Sequence, residues 1–187
     1  MRRWRVPYAA RLAAAMLAGL LAQPAVQAQD GQRPATGVPW NARVTYVVDG
    51  DSVWVQPLVG GKRQRLRIDG VDAPEICQTH GTESRQALQA LALNQRVRVT
   101  VWAYDRYGRA IATVVRLQGD VDLGERMVEE GWAWTDGYGT RLGKYWRAEA
   151  QARWAGRGLF AERWPELPAD FRNRHGPCGA AKPASGD

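Results

Sequence analysis

Histidine and cysteine are nearly absent from this chain, with two of each in 187 residues. Nothing near either cysteine resembles a Cys/His cluster of the zinc-binding kind. His80 and His175 read as exposed side chains, with no role assigned to His175. Long apolar runs are scarce as well. Only residues 12–22 form one, and its 11 residues fall short of the ~20 that a membrane span needs. No stable span is therefore expected in the mature protein. Hydrophobic residues still make up 45% of the chain, enough for a real core, and one domain is the default at this length. Most of the nine Trp are expected in that core or at its edge.

The one apolar run has a specific setting. Arg2, Arg3, Arg5 and Arg11 precede or open it, and Val26-Gln27-Ala28 offers small residues at cleavage positions. This is the pattern of a secretory signal peptide over residues 1–28, so a secreted or periplasmic protein is expected. Its removal takes four arginines and no acids. The charge then falls from +7 to +3, that is 22 Lys and Arg against 19 Asp and Glu. An exported protein can form disulfides. A Cys77–Cys178 bridge is expected over two unpaired thiols, because both flanking regions read as loops. Closing such a loop contributes roughly 4–5 kcal/mol in the chain-entropy model.

Residues 29–39 have linker composition and are expected to be disordered. Strands are predicted at 42–48, 52–56, 63–68, 96–101 and 110–117 from β-branched content and alternation. A helix follows Gly81, with Thr82 as its N-cap and Ala87, Leu88, Leu91 and Ala92 as its apolar stripe. A second runs from the Asp122–Glu125 capping box to Glu130, stopped by Gly131. A third spans 144–155. The folded domain is set at 40–164, and 165–187 reads as a loose tail tethered by the disulfide. Five short strands and about three helices give an α+β protein built on a partly open five-stranded barrel of the OB type. A small α+β sheet is the close rival on strand counting alone.

Three stretches carry the chemistry. Asp49-Gly50-Asp51-Ser52 lies between two strands. Arg67-Ile68-Asp69-Gly70-Val71-Asp72-Ala73-Pro74-Glu75 runs off the end of the third. Asp105-Arg106-Tyr107-Gly108-Arg109 precedes the fifth. Guanidinium groups grip phosphate with parallel hydrogen bonds. One carboxylate can hold a hard cation while another takes a proton from water. Taken singly, each stretch also has a plain reading: a hairpin turn, a surface Glu, or arginines in weak surface ion pairs.

In this order the three stretches resemble the staphylococcal nuclease-like family, over roughly residues 40–160. The resemblance implies the same barrel and a calcium-dependent endonuclease acting on DNA and RNA with low sequence specificity. It further implies cleavage of the 5′ P–O bond, leaving 3′-phosphate ends. Asp51, Asp72 and the backbone carbonyl of Ala73 become the calcium ligands, with Asp49 acting through water. Glu75 becomes the general base, and Arg67 and Arg109 the groups that stabilise charge on phosphorus. Arg106 and Tyr107 match phosphate-contacting positions, and Tyr138 lies near the family's base-stacking tyrosine, though the local match is poor. Two departures stand out. Ala73 replaces a Thr, and residues 76–81 replace a longer basic loop, which bears on substrate preference. No protein partner is expected, and a monomer is. The alternatives are a catalytically silent OB-type nucleic-acid-binding module of the cell envelope and a calcium-stabilised envelope interaction protein.

Overall fold

Alternating apolar side chains set the strands of this protein, whose computed structural model describes residues 33–137, 142–176 and 178. In chain order the elements begin with β1 (Trp40–Val47), β2 (Ser52–Pro57), β3 (Gln64–Ile68), a short β4 (Val71–Asp72) and α1 (Gly81–Ala92). Next come β5 (Arg96–Tyr104), β6 (Ala110–Arg116), a short β7 (Val121–Asp122) and α2 (Leu123–Glu129). The chain continues through β8 (Trp134–Thr135), α3 (Trp146–Trp154), a 3₁₀ turn (Gly158–Ala161) and α4 (Pro168–His175).

The main sheet runs β3-β2-β1-β5-β6-β7. It closes on itself because β3 also pairs with β6, in parallel, through Leu66↔Ala110, Arg67↔Ile111 and Ile68↔Ala112. Five strands therefore make a barrel, and closure removes the exposed edges that an open sheet would leave. Together with four α-helices among the described residues, this is an α+β fold of the OB type. Register shifts between Val44 and Tyr46 and between Val101 and Ala103 bend the strands, as bulges do.

One face of each strand fills the barrel. Val44, Val53, Val55, Leu66, Val97, Val99 and Val114 have no exposed surface. Leu88 of α1 and Leu123 and Met127 of α2 join the same cluster. A smaller cluster of Trp134, Ala152, Leu159 and Phe160 lies beside β8 and α3.

Several expectations are corrected here. α1 starts at Gly81, and its N-cap is His80 in a left-handed conformation with φ 63°. Thr82 is therefore inside the helix. β5 runs three residues past its expected end, to Tyr104, because Ala103 and Tyr104 go on pairing with Ile111 and Ala110 beyond the bulge at Trp102. Residues 33–39 are tied to the barrel: Gly37 N–H donates to Val101 O at 2.7 Å and Tyr104 Oη to Pro34 O at 2.6 Å. Residues 168–175, read as loose tail, form α4. Of the described tryptophans, Trp102, Trp146, Trp154 and Trp164 are exposed, whereas Trp40, Trp132 and Trp134 lie in or against the core clusters. The expected capping by Asp122 is present, its carboxylate accepting from Gly124 N–H and Glu125 N–H.

Candidate active site

Arg67 leaves the end of β3 and joins two acids from different turns. Its Nη1 lies 2.7 Å from Asp51 Oδ2 and its Nη2 lies 2.9 Å from Asp72 Oδ1. Nη2 also donates to the carbonyl of Val71. Asp51 comes from the turn between β1 and β2, and Asp72 from β4. Both acids are nearly inaccessible, at 3% and 8% exposure, so each needs the charge of Arg67 beside it. Burial works against the charge on Arg67, but the carboxylates of Asp51 and Asp72 outweigh it and hold the guanidinium above its ordinary pKa.

The turns that bring these groups together depend on two glycines. Gly70 has φ +82°, a left-handed conformation that Gly adopts without penalty, and it turns the chain from β3 into β4. Gly50 matters for closeness. A Cβ there would lie 1.9 Å from Ser84 Oγ on α1 and 2.7 Å from Ala73 Cβ. The middle residue of the Asp-Gly-Asp turn is thus the point where α1 and residue 73 approach the backbone. Asp51 Oδ2 accepts from Ala73 N–H at 3.2 Å, and Asp51 Oδ1 from Ser52 Oγ at 2.8 Å. Asp49 Oδ1 accepts from Asp51 N–H at 3.0 Å. Burial, followed by the neighbouring Asp51 carboxylate, pushes Asp49 up to about 7.

Glu75 follows in the loop after β4. Its N–H donates to Gln78 Oε1, and Gln78 Nε2 donates to Glu166 O at 2.6 Å. The site's remaining arginine is set by the turn between β5 and β6. Asp105 accepts from the N–H groups of Tyr107 and Arg109, each at 2.9 Å, and from Arg109 Nε at 2.6 Å. Burial would raise Asp105, but the hydrogen bonds from Arg109 hold it below the usual carboxylate range. The exposed ring of Tyr107 has the guanidinium groups of Arg106 and Arg109 over it at 4.8 and 5.6 Å.

Asp49, Asp51, Arg67, Ala73, Glu75, Arg106, Tyr107 and Arg109 all line one cleft of about 1040 Å³. Asp72 sits behind it, bonded to Arg67. Cys77 and Cys178 are joined in a disulfide, and Cys178 reaches the cleft wall. Tyr138 lies outside the described residues. His80, expected to be a free surface group, meets Glu162 Oε1 at 2.7 Å.

Two groups of cleft residues escaped the sequence reading. Trp54 of β2, with Arg63 stacked over it at 5.2 Å, and its β3 neighbour Arg65, whose buried Nε has no hydrogen-bond partner among the described residues, make the first group. Side chains alternate along a strand, so β3 sets Arg65 on the same side as Arg67. Arg172 comes from α4 and touches both Asp72 and Glu75. The available signal was a helix start: Pro168 in the first turn with Asp170, and Arg172, Arg174 and His175 in the last turn.

The donors near Asp51 suit a hard cation. Two carboxylates and the backbone of residue 73 offer only oxygen ligands, the set that calcium or magnesium takes with added water. Among the described residues, no three Asp, Glu, His or Cys side chains gather into a larger ligand set. The fit is therefore to an ion held by few protein oxygens.

A small closed barrel with paired acids and arginines at one strand end defines the class of protein. The family model described as staphylococcal nuclease homologue matches residues 65–162, and this chain belongs to that family. A probable staphylococcal-like nuclease of Oryza sativa subsp. japonica is 34% identical over 111 residues, covering 59% of this chain and 30% of that protein. The chain thus spans about a third of the rice relatives it matches. The micrococcal nuclease of Shigella flexneri is 31% identical, over 71% of this chain and 80% of that protein. An uncharacterised endonuclease of Escherichia coli O157:H7 is 33% identical, over 72% of this chain and 86% of that protein. Arg67, Asp72, Glu75 and Arg109 fall inside the matched span. Asp49, Asp51 and Arg172 fall outside it.

Proposed function

We propose that this protein is an exported, calcium-dependent nuclease that hydrolyses phosphodiester bonds in DNA and RNA with low sequence specificity. The observation that carries the reading is Arg67 joining Asp51 to Asp72, with Glu75 and Arg109 on the same cleft. Family membership and the names of the relatives support the reaction class. The disulfide supports an oxidising compartment, in keeping with a leader over residues 1–28. A site completed within one chain supports a monomer.

In this reading Asp51, Asp72 and the carbonyl of Ala73 would hold the calcium ion, which would supply Lewis-acid chemistry at a phosphate oxygen. Glu75 takes a proton from water as the oxygen attacks phosphorus. Arg109 and the unspent donors of Arg67 stabilise the charge that builds on the non-bridging oxygens. Arg67 has five donors, and three are committed to Asp51, Asp72 and Val71. Breaking the 5′ P–O bond leaves a 3′-phosphate and a 5′-hydroxyl, the leaving oxygen having gained a proton. Arg106 and Tyr107 bind a flanking phosphate, and Tyr138 offers a ring to a base, which stacks with little regard to sequence.

The test is cleavage of single-stranded DNA with calcium and then with excess chelator. Cleavage that stops with chelator, and that falls roughly 10²–10⁴-fold in Glu75→Gln as expected for loss of a general base, supports the reading. A folded protein that binds DNA and cuts in neither condition is the silent binding module instead.

A further inference from the structure

The family resemblance assigns Arg67 and Arg109 to the reaction, yet α4 lays a further guanidinium on the site's acids. Arg172 Nη1 lies 2.8 Å from Glu75 Oε1 and 3.2 Å from Asp72 Oδ1, and Nη2 lies 3.2 Å from Asp72 Oδ2. Asp72 Oδ1 also accepts from Arg67 at 2.9 Å. Both oxygens of Asp72 are therefore engaged by arginine, as is one oxygen of Glu75. These are charge-assisted hydrogen bonds, and the pair to Asp72 is bidentate, the strongest arrangement available to the two groups. Burial disfavours the charge on Arg172, but the bonds to Asp72 and Glu75 prevail and keep it fully protonated.

The stretch bearing Arg172 is fastened at several points to the loop that bears Glu75. The Cys77–Cys178 disulfide crosses from one to the other. Gln78 donates to Glu166 O, and His80 meets Glu162. All of these holds lie within five residues of Glu75, so they act on Arg172 and Glu75 together.

We propose that Arg172 is a further residue of the reaction site: an internal cation that competes with the divalent ion for Asp72, and that the Cys77–Cys178 disulfide keeps in place. This rests on the metal reading of Asp51 and Asp72 given above. With Arg172 present, the three carboxylates of Asp51, Asp72 and Glu75 face two guanidinium groups. Without it they face only Arg67, and the site is more negative by one charge. An ion that binds Asp72 must take an oxygen from Arg172 or accept a like charge beside it. Arg172 therefore lowers metal affinity, and metal binding loosens α4, because the coupling acts equally in both directions. The disulfide holds the competitor at high effective concentration, so reduction shifts the balance towards the ion.

Calcium titration of the full chain by calorimetry tests this, with folding checked by circular dichroism. Arg172→Gln, and the wild-type protein in reductant, are expected to bind calcium roughly tenfold more tightly, the scale of one partly exposed charge-assisted pair. Arg172→Lys keeps the charge but loses the fork, and should lie between. Arg174→Gln is the control, since Arg174 sits on the same helix and among the described residues pairs only with Glu166; it should match wild type. Equal or weaker binding by Arg172→Gln overturns the proposal while leaving the calcium site standing. Tighter binding by Arg174→Gln as well would place the effect in a loosened helix, and also overturns it. Should Arg172→Gln not fold, the lysine variant and the reduced protein decide: affinity unchanged in both refutes the competition. No binding by any form overturns the metal reading itself and this inference with it.

Discussion

Arg67 is the residue on which the site is assembled, because among the described residues it alone pairs with both Asp51 and Asp72. Its side chain is 23% exposed while theirs are 5% and 11%. Replacing it leaves Asp51 without its guanidinium partner and Asp72 with Arg172 alone, both with little access to water. Arg67→Gln is expected to lower stability by roughly 2–3 kcal/mol in chelator, somewhat under the range for a fully buried pair broken on one side. Calcium should restore part of the loss by supplying positive charge at the same place. Urea unfolding with chelator and with calcium measures both, and an undiminished midpoint in chelator would show that the two ion pairs do not hold these turns. At this scale the sequence was informative where chemistry coincides with a turn. Asp51, Arg67, Asp72 and Arg109 lie at or beside strand ends and Glu75 in the loop after β4, and it was the family resemblance of the three stretches in order, added to that local pattern, that singled them out. Gly50 was read correctly as part of a turn but for an incomplete reason. Its place is demanded by Ser84, 34 positions later in the chain, and no local pattern contains that contact.

Elements are held in place here by polar pairs as much as by apolar faces. Tyr145, just before α3, is 8% exposed and donates its hydroxyl to Asp122, which also caps α2. Burial first, and the Asp122 carboxylate second, hold the Tyr145 hydroxyl above its ordinary value of 10. The folded protein thus keeps a proton that the unfolded chain gives up. The resulting stability is fully present below pH 10 and is lost as pH rises beyond it. Tyr145→Phe removes the donor and leaves Asp122 with one partner fewer, an expected loss of about 1–3 kcal/mol. That gap between wild type and variant should narrow as urea midpoints are followed from below pH 10 towards about pH 11. A gap that stays constant would mean that the hydroxyl does not titrate differently in the two states. The barrel strands were readable because one face of each is apolar, and α2 because its cap is local. α4 was not, since its eight residues carry almost no apolar stripe. Its position comes from Arg172, Gln78 and the disulfide, contacts about 90 to 100 positions apart in the chain.

At the scale of the whole molecule, net charge says little about the partner, and its distribution says more. The formal +7 includes four arginines of the expected leader. What points to a polyanion is the cleft wall. Arg33, Arg63, Arg65 and Arg106 line it and have no ion pair among the described residues, whereas Arg67, Arg109 and Arg172 are matched to acids. Tyr104, Trp54 and Tyr107 lie under guanidinium groups along the same wall, giving π faces beside positive charge. If each of the four unmatched arginines meets one phosphate, binding of single-stranded DNA should weaken with salt at a log–log slope of roughly −3, about −0.7 per contact. Glu75→Gln in calcium permits the measurement without turnover, by fluorescence anisotropy over a salt series. Arg63→Gln should make the slope shallower by about 0.7 and weaken binding to all sequences alike, because a phosphate contact carries no base information. An unchanged slope would place the strand away from Trp54 and Arg63, along the Arg106–Tyr107 side of the cleft alone.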